Sequence, residues 1–293
     1  WLKSAQQYER GCGSDWWTNL LMISNYGSNK CVPQSWYVAC DFQFHLISPL
    51  FLLPLPKRPK VGLLLLTSAS LISAVAAVIK VYVIQTDYVM AMDEIEKDPL
   101  NYVLINYRIP TFCIGIALGY LLFLMKNDKL DFKPTKRFWW LGWTASTAAL
   151  ISAVVSLSLV TNPHNKYPPW LHSILLGLYR TVFAAGLSWI IFACFIGHGG
   201  IINRFLSWPG FRPLGKLTYS VFLIHFIVIY HQTLSIQEPA VLSLVDFVFL
   251  VCGDVIISFV LAPVTYLTVE APFTKLATYW LAEKIPKQSE EPN

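Results

Sequence analysis

The chain is 293 residues long, 55% hydrophobic and only 13% charged, about half the charged share of a soluble domain. A soluble fold would leave most of that apolar surface wet. The net charge of +5 is dispersed among separate short segments, which argues against a nucleic-acid-binding face. What remains is an all-α polytopic membrane bundle, because a helix satisfies its backbone hydrogen bonds within one span.

The first 34 residues begin at Trp1 with neither a methionine nor an apolar leader, as expected of a piece or a processed product. They read as a loop outside the membrane. Cys12 and Cys31 lie within it, where a disulfide persists, and closing a loop of that size contributes about 3 kcal/mol. Seven spans then follow over Ser35–Leu55, Val61–Ile84, Ile109–Met125, Phe138–Val160, Leu171–Phe195, Leu217–Leu234 and Val241–Val269. Each approaches or exceeds the roughly 20 residues that cross a hydrocarbon core of about 30 Å. Pro110 suits a first helical turn, while Pro263 predicts a kink or break late in the seventh span. We take residues 35–270 as one transmembrane domain and 271–293 as a cytosolic tail.

Basic residues fix an expected orientation. Loops after the first, third and fifth spans and the tail carry fourteen Lys and Arg, beginning with Lys57, Arg58 and Lys60. The opposite loops carry five, and one of them is acidic (Asp93, Glu94, Glu96, Asp98). The positive-inside rule then puts Trp1 outside or in a lumen and Asn293 in the cytosol, in the plasma membrane or the endoplasmic reticulum. Trp16, Trp17 and Trp36 precede or open the first span, Trp139, Trp140 and Trp143 open the fourth and Trp170 the fifth, as interfacial anchors do. Cys40, Cys113, Cys194 and Cys252 lie in spans and read as small packing residues. No Cys/His spacing fits a metal site.

Chemistry is sought among polar residues inside the membrane, which are costly and tend to be functional. In the first span Asp41 and His45 are four apart, on one helix face, and can pair. An acid-paired His acts as a base or relay, or the two simply orient each other near an interface. Gln43 lies about 200° around the helix from Asp41 and needs another partner. Arg108 opens the third span as an anchor or a site residue, and Arg180 sits well inside the fifth. Arg180 cannot shed its charge, so it must meet a cavity, a carboxylate or an anion. Lys80 can snorkel. His225 lies in the sixth span, and Asp246 and Asp254 in the seventh read as counter-charges for Arg180 or Arg108. Glu270 ends the seventh span.

LGKLTYSVFLIHF followed by TYLTVEAPF resembles the closing signature of the membrane acyltransferase-3 superfamily. SDWWTNLLMISNYG, SWYVACDFQFHLISPL and LYRTVFAAGLSWIIFAC resemble more closely its nose-resistant-to-fluoxetine branch of nematodes and insects. Phe222 and His45 both stand where Tyr is usual. The resemblance implies a core of about ten spans, and an enzyme moving an acyl group from a cytosolic donor such as acyl-CoA to a hydroxyl or lipid acceptor. It also implies a principal catalytic His in a span upstream of Trp1. Matched by motif, Arg180, His225 and Asp41 are candidate catalytic residues, and Arg108, Gln43, His45 and Glu270 candidate substrate-binding ones. The alternative is a transporter or uptake factor for a lipid or small amphiphile, with the same charges lining a path and no catalysis.

Overall fold

The computed structural model describes residues 12–26, 31–32, 34–84, 105–129, 134–161, 167–235 and 243–284. Among these residues there are helices and connections but no strand, and seven helices are long and apolar enough to cross a membrane. The acidic run from Asp93 to Asp98 falls outside the described residues. The chain forms two compact units, Leu2–Arg204 and, with Trp1, Phe205–Asn293.

In the first unit α1 covers residues 12–20 and a 3-10 turn covers Ser24–Tyr26. The Cys12–Cys31 disulfide is formed. Next come α2 (Ser35–Leu52), α3 (Pro54–Lys57), α4 (Pro59–Ile84), a second 3-10 turn (Ile105–Arg108), α5 (Ile109–Lys126), α6 (Lys136–Thr161), α7 (Pro169–Phe195) and α8 (Gly200–Leu206). The expected first span, Ser35–Leu55, is made of two helical stretches within a candidate span that runs to Lys57. The α2 helix stops at Leu52, and Pro54 starts a separate turn that carries Leu55 into a core with Leu66 and Cys113. Gly62 makes this approach feasible, since a Cβ there would lie 2.8 Å from Leu55 Cδ2.

Helix α7 packs against α4, α5 and α6. Membrane helices associate through small residues and interhelical hydrogen bonds, and the α6–α7 seam has both. Ser146 Oγ donates to the Gly186 carbonyl at 2.8 Å, and the Trp189 ring lies where a Gly142 side chain would be. A Schellman motif ends α7: His198 N–H donates to the Ala193 carbonyl and Gly197 N–H to that of Cys194, with Gly197 at φ +84°. The resulting turn stacks His198 face to face on Trp139, centroids 4.2 Å apart. Trp139 is therefore built into an aromatic cluster with Trp189 and Phe192, beyond the anchoring role expected of it.

The second unit contains α9 (Phe211–Ser235), α10 (Leu244–Thr265), a π-turn (Tyr266–Glu270) and α11 (Ala271–Lys284). The α9 and α10 helices pack together. The expected break at Pro263 is instead a widening. Ala271 N–H reaches back five residues to the Tyr266 carbonyl, and the helix continues through much of the expected tail. Two further expectations need correction. Cys252 is exposed and Cys194 only half-buried, so the packing role holds for Cys40 and Cys113 alone. Asp246 is a capping residue: its carboxylate accepts from Ser243 N–H, while Ser243 Oγ accepts from Asp246 N–H.

Candidate functional site

The start of α2 is held by polar contacts to the segment before it. Gln43 finds its separate partner in Asn25, which is fully buried. Asn25 Nδ2 donates to Gln43 Oε1 at 3.0 Å and Gln43 Nε2 returns a bond to Asn25 Oδ1 at 2.8 Å. Gln43 Nε2 also donates to the Met22 carbonyl, and Asn25 Nδ2 contacts Cys40 Sγ at 3.5 Å. Ser35 Oγ bonds Asn19 and buried Ser24. Burial, and secondly the neighbouring Cys40, push the Tyr26 phenol above its ordinary pKa, although half of the side chain stays exposed. Asp41 and His45 point the other way. Both are exposed on α2, and no hydrogen bond or ion pair joins them.

Arg108, Lys80 and Arg180 of this unit stand on aromatic rings. Arg108 lies over Trp36 at 4.4 Å from its centroid and Lys80 over Tyr107 at 5.5 Å. The first turn of α2, the last turns of α4 and the start of α5 therefore meet at one end. The α2 helix is about 27 Å long, so Arg108 is remote from the basic loop at Lys57–Lys60. Arg180 is eleven residues into α7, about 16 Å from its start. Its Nε donates to Tyr179 Oη at 2.8 Å, with the guanidinium over the same ring.

In the second unit α9 and α10 share a polar seam. Ser220, fully buried, donates from Oγ to Glu270 Oε2 at 2.7 Å. The π-turn aims Glu270 back at α9. Twelve residues along α9, the Gln232 amide nitrogen, placed by its surroundings, lies 3.1 and 3.2 Å from the two Asp254 carboxylate oxygens. Asp254 thus has an amide partner and Asp246 a cap, in place of the counter-charge roles expected of them. Between these two pairs, His225 Nδ1 lies 2.6 Å from the Phe222 carbonyl. A carbonyl only accepts, so Nδ1 carries the proton, and in the neutral form of the ring the lone pair is on Nε2. Ser258, on α10, is buried with no partner for its Oγ.

Sequence reasoning missed Ser220, Asn25, Gln232 and Ser258. Of these, Ser220 had a signal. It lies inside TYSVFLIH and its partner Glu270 inside TVEAPF, the two halves of the family signature, which the seam joins.

A family model described as "Acyltransferase domain" matches residues 10–263. The chain belongs to the acyltransferase-3 family. It is 31% identical to "Nose resistant to fluoxetine protein 6" of Caenorhabditis elegans, over 78% of this chain and 30% of that protein. A candidate peptidoglycan O-acetyltransferase of Bacillus subtilis is 28% identical, over 88% of this chain and 38% of its own length. "Regulator of hypoxia-inducible factor 1" of C. elegans is 23% identical, over 90% of this chain and 54% of that protein. The chain thus spans between 30% and 54% of these curated relatives. No solved structure matches it. The first of these relatives supports the nose-resistant-to-fluoxetine branch.

Proposed function

We propose that this chain is the acceptor- and donor-binding part of a multi-pass membrane O-acyltransferase that uses cytosolic acyl-CoA to acylate a hydroxyl. The observation that carries the reading is His225, held by Phe222 in the tautomer that leaves Nε2 basic, inside a chain of this family. A base within reach of a hydroxyl contributes about 10²–10⁴-fold to such a transfer. The likeness to an O-acetyltransferase supports the reaction class.

Arg180 is the candidate for the donor's phosphates or for the oxyanion that forms as the thioester carbonyl is attacked. A preorganised donor in that role contributes about 3 kcal/mol. Arg108 stands at the end away from Lys57–Lys60, so it belongs with the acceptor rather than with the phosphates of a cytosolic donor. Glu270, held by Ser220, shapes the seam beside His225. Gln43 holds the outer segment in place. The exposed Asp41 and His45 are left to contacts with substrate or with the rest of the protein, and the upstream His of the family pattern would act alongside His225. In this reading the disulfide-bearing segment faces outside or a lumen and the basic loops face the cytosol, in the plasma membrane or the endoplasmic reticulum.

The test is transfer of label from radiolabelled acyl-CoA to lipid extract or added alcohol by the full-length protein in proteoliposomes. Covalent label in the acceptor is the expected result. Arg180→Ala should lower transfer by about a hundredfold with insertion intact. Uptake of an unmodified lipid without covalent label would favour the transporter reading instead.

A further inference from the structure

Helix α1 and the turn after it have their polarity reversed for a segment lying in water. On the helix, Trp16, Trp17, Leu20 and Leu21 form one stripe about 140° wide, and Thr18 and Asn19 fall on the opposite side. The apolar stripe faces out: Trp16 is 57% exposed, Leu20 70% and Leu21 58%. The polar residues face in. Thr18, Ser24 and Asn25 are buried, and Asn19 and Ser24 both bond Ser35 on α2. A surface helix in water does the opposite.

The hydrogen bonds to α2 also give a depth. Gln43 Nε2 donates to the Met22 carbonyl, and Asn25 reaches both Gln43 and Cys40 Sγ. Cys40 and Gln43 stand five and eight residues beyond Ser35, so these contacts lie about 7–12 Å along α2 from its start. The span that begins at Ser35 runs 23 residues to Lys57, about 34 Å and little longer than the hydrocarbon core. The turn at Met22 is therefore level with the hydrocarbon, inside its edge.

Its backbone suits that level. A segment away from water must satisfy its own polar groups, and α1 closes with a Schellman motif. Ile23 N–H donates to the Thr18 carbonyl and Met22 N–H to that of Asn19. Met22 takes the left-handed position at φ +55°, where glycine is usual. An apolar side chain is kept there in spite of the backbone strain, so the tip reads Leu-Leu-Met-Ile without a break.

We infer that residues 16–23 are a wedge set into the lipid leaflet in which α2 begins. Trp16 and Trp17 lie at the headgroup level, and Leu20 and Leu21 lie against acyl chains. The partner is lipid because the stripe has no charge, and its order, indole rings and then leucines, follows the passage from headgroups to hydrocarbon. The segment expected to be a loop outside the membrane is then outside only around the Cys12–Cys31 disulfide. Nothing in this inference rests on the acyltransferase reading.

The test uses the full-length protein in phosphatidylcholine liposomes with a diazirine-bearing leucine analogue, photoleucine, at one position at a time. Leu20→photoleucine and Leu21→photoleucine preserve size and apolarity, so both should fold. Gly13→photoleucine is the reference near the disulfide, where a side chain meets nothing within 4 Å. On irradiation the carbene inserts into whatever touches it, and peptide mass spectrometry tells lipid, water and protein adducts apart. Lipid adducts should exceed water adducts about tenfold at Leu20 and Leu21, as the preference of a leucine side chain for hydrocarbon implies, and water adducts should dominate at Gly13. Mainly water adducts at Leu20 and Leu21 would overturn the wedge and return the segment to the aqueous side. Cross-links from them to another stretch of the full-length chain would overturn it as well, and make the stripe an internal packing face.

Discussion

Two residues explain how the first span is anchored. Asn25 and Gln43 exchange amide hydrogen bonds, so truncating either strands the other's donor and acceptor in a buried place. Asn25→Ala should therefore cost about 1–3 kcal/mol, read as a lower unfolding midpoint in detergent. Replacing both by apolar residues of similar size should recover much of that loss, because no polar group is then left unpaired. That Gln43 needs a partner off the Asp41 face is legible in the sequence, since helical periodicity fixes it. That the partner is Asn25 is not, because eighteen residues and a disulfide-closed loop separate them. The same holds for Asp254. Its carboxylate at mid-span invites an arginine on paper, and only the hairpin register brings Gln232 to it.

Spans are the best-predicted elements, because length and apolarity alone decide whether a segment suits a bilayer. All seven expected spans are helices, and the one that departs most from its expected end is the seventh, which continues beyond Val269 through the π-turn. What apolarity does not encode is how closely two helices lie. The α6–α7 seam depends on Gly142, whose missing side chain makes room for the Trp189 ring. Gly142→Ala should force that ring aside and cost about 1–3 kcal/mol as overpacking. A Trp fluorescence shift together with a lower unfolding midpoint would register it, and an unchanged spectrum would refute the account. At the outer segment, reducing Cys12–Cys31 should lower stability by about 3 kcal/mol on loop-closure grounds, checked by unfolding with and without reductant.

For the whole molecule, the orientation proposed from loop charge has a direct readout. A cysteine at Lys129, in the connection after α5, should react with a membrane-impermeant maleimide only after the membrane is opened. After reduction of intact vesicles or cells, Cys12 and Cys31 should react from outside without permeabilisation. The reverse pattern would invert the topology and move the donor side to the opposite face. The family is legible in the sequence because its motifs lie in continuous stretches. The candidate site is legible only in part, since His225, Ser220 and Glu270 are in those motifs, whereas Ser258 is an ordinary small polar residue made significant by burial.

The π-turn at Tyr266–Glu270 acts as a step in phase. A turn one residue wider than its neighbours sets every later side chain about 100° away from where an unbroken α-helix would have put it. With this step, Glu270 comes round to Ser220. Deleting a single residue between Tyr266 and Glu270 would retime α11 as a whole, swinging the stripe that contains Phe273, Leu276 and Trp280 to a new bearing while α10 kept its own. The sequence beyond Pro263 is thus tuned to a count as much as to a composition. Changes of length there should be far less forgiving than changes of residue.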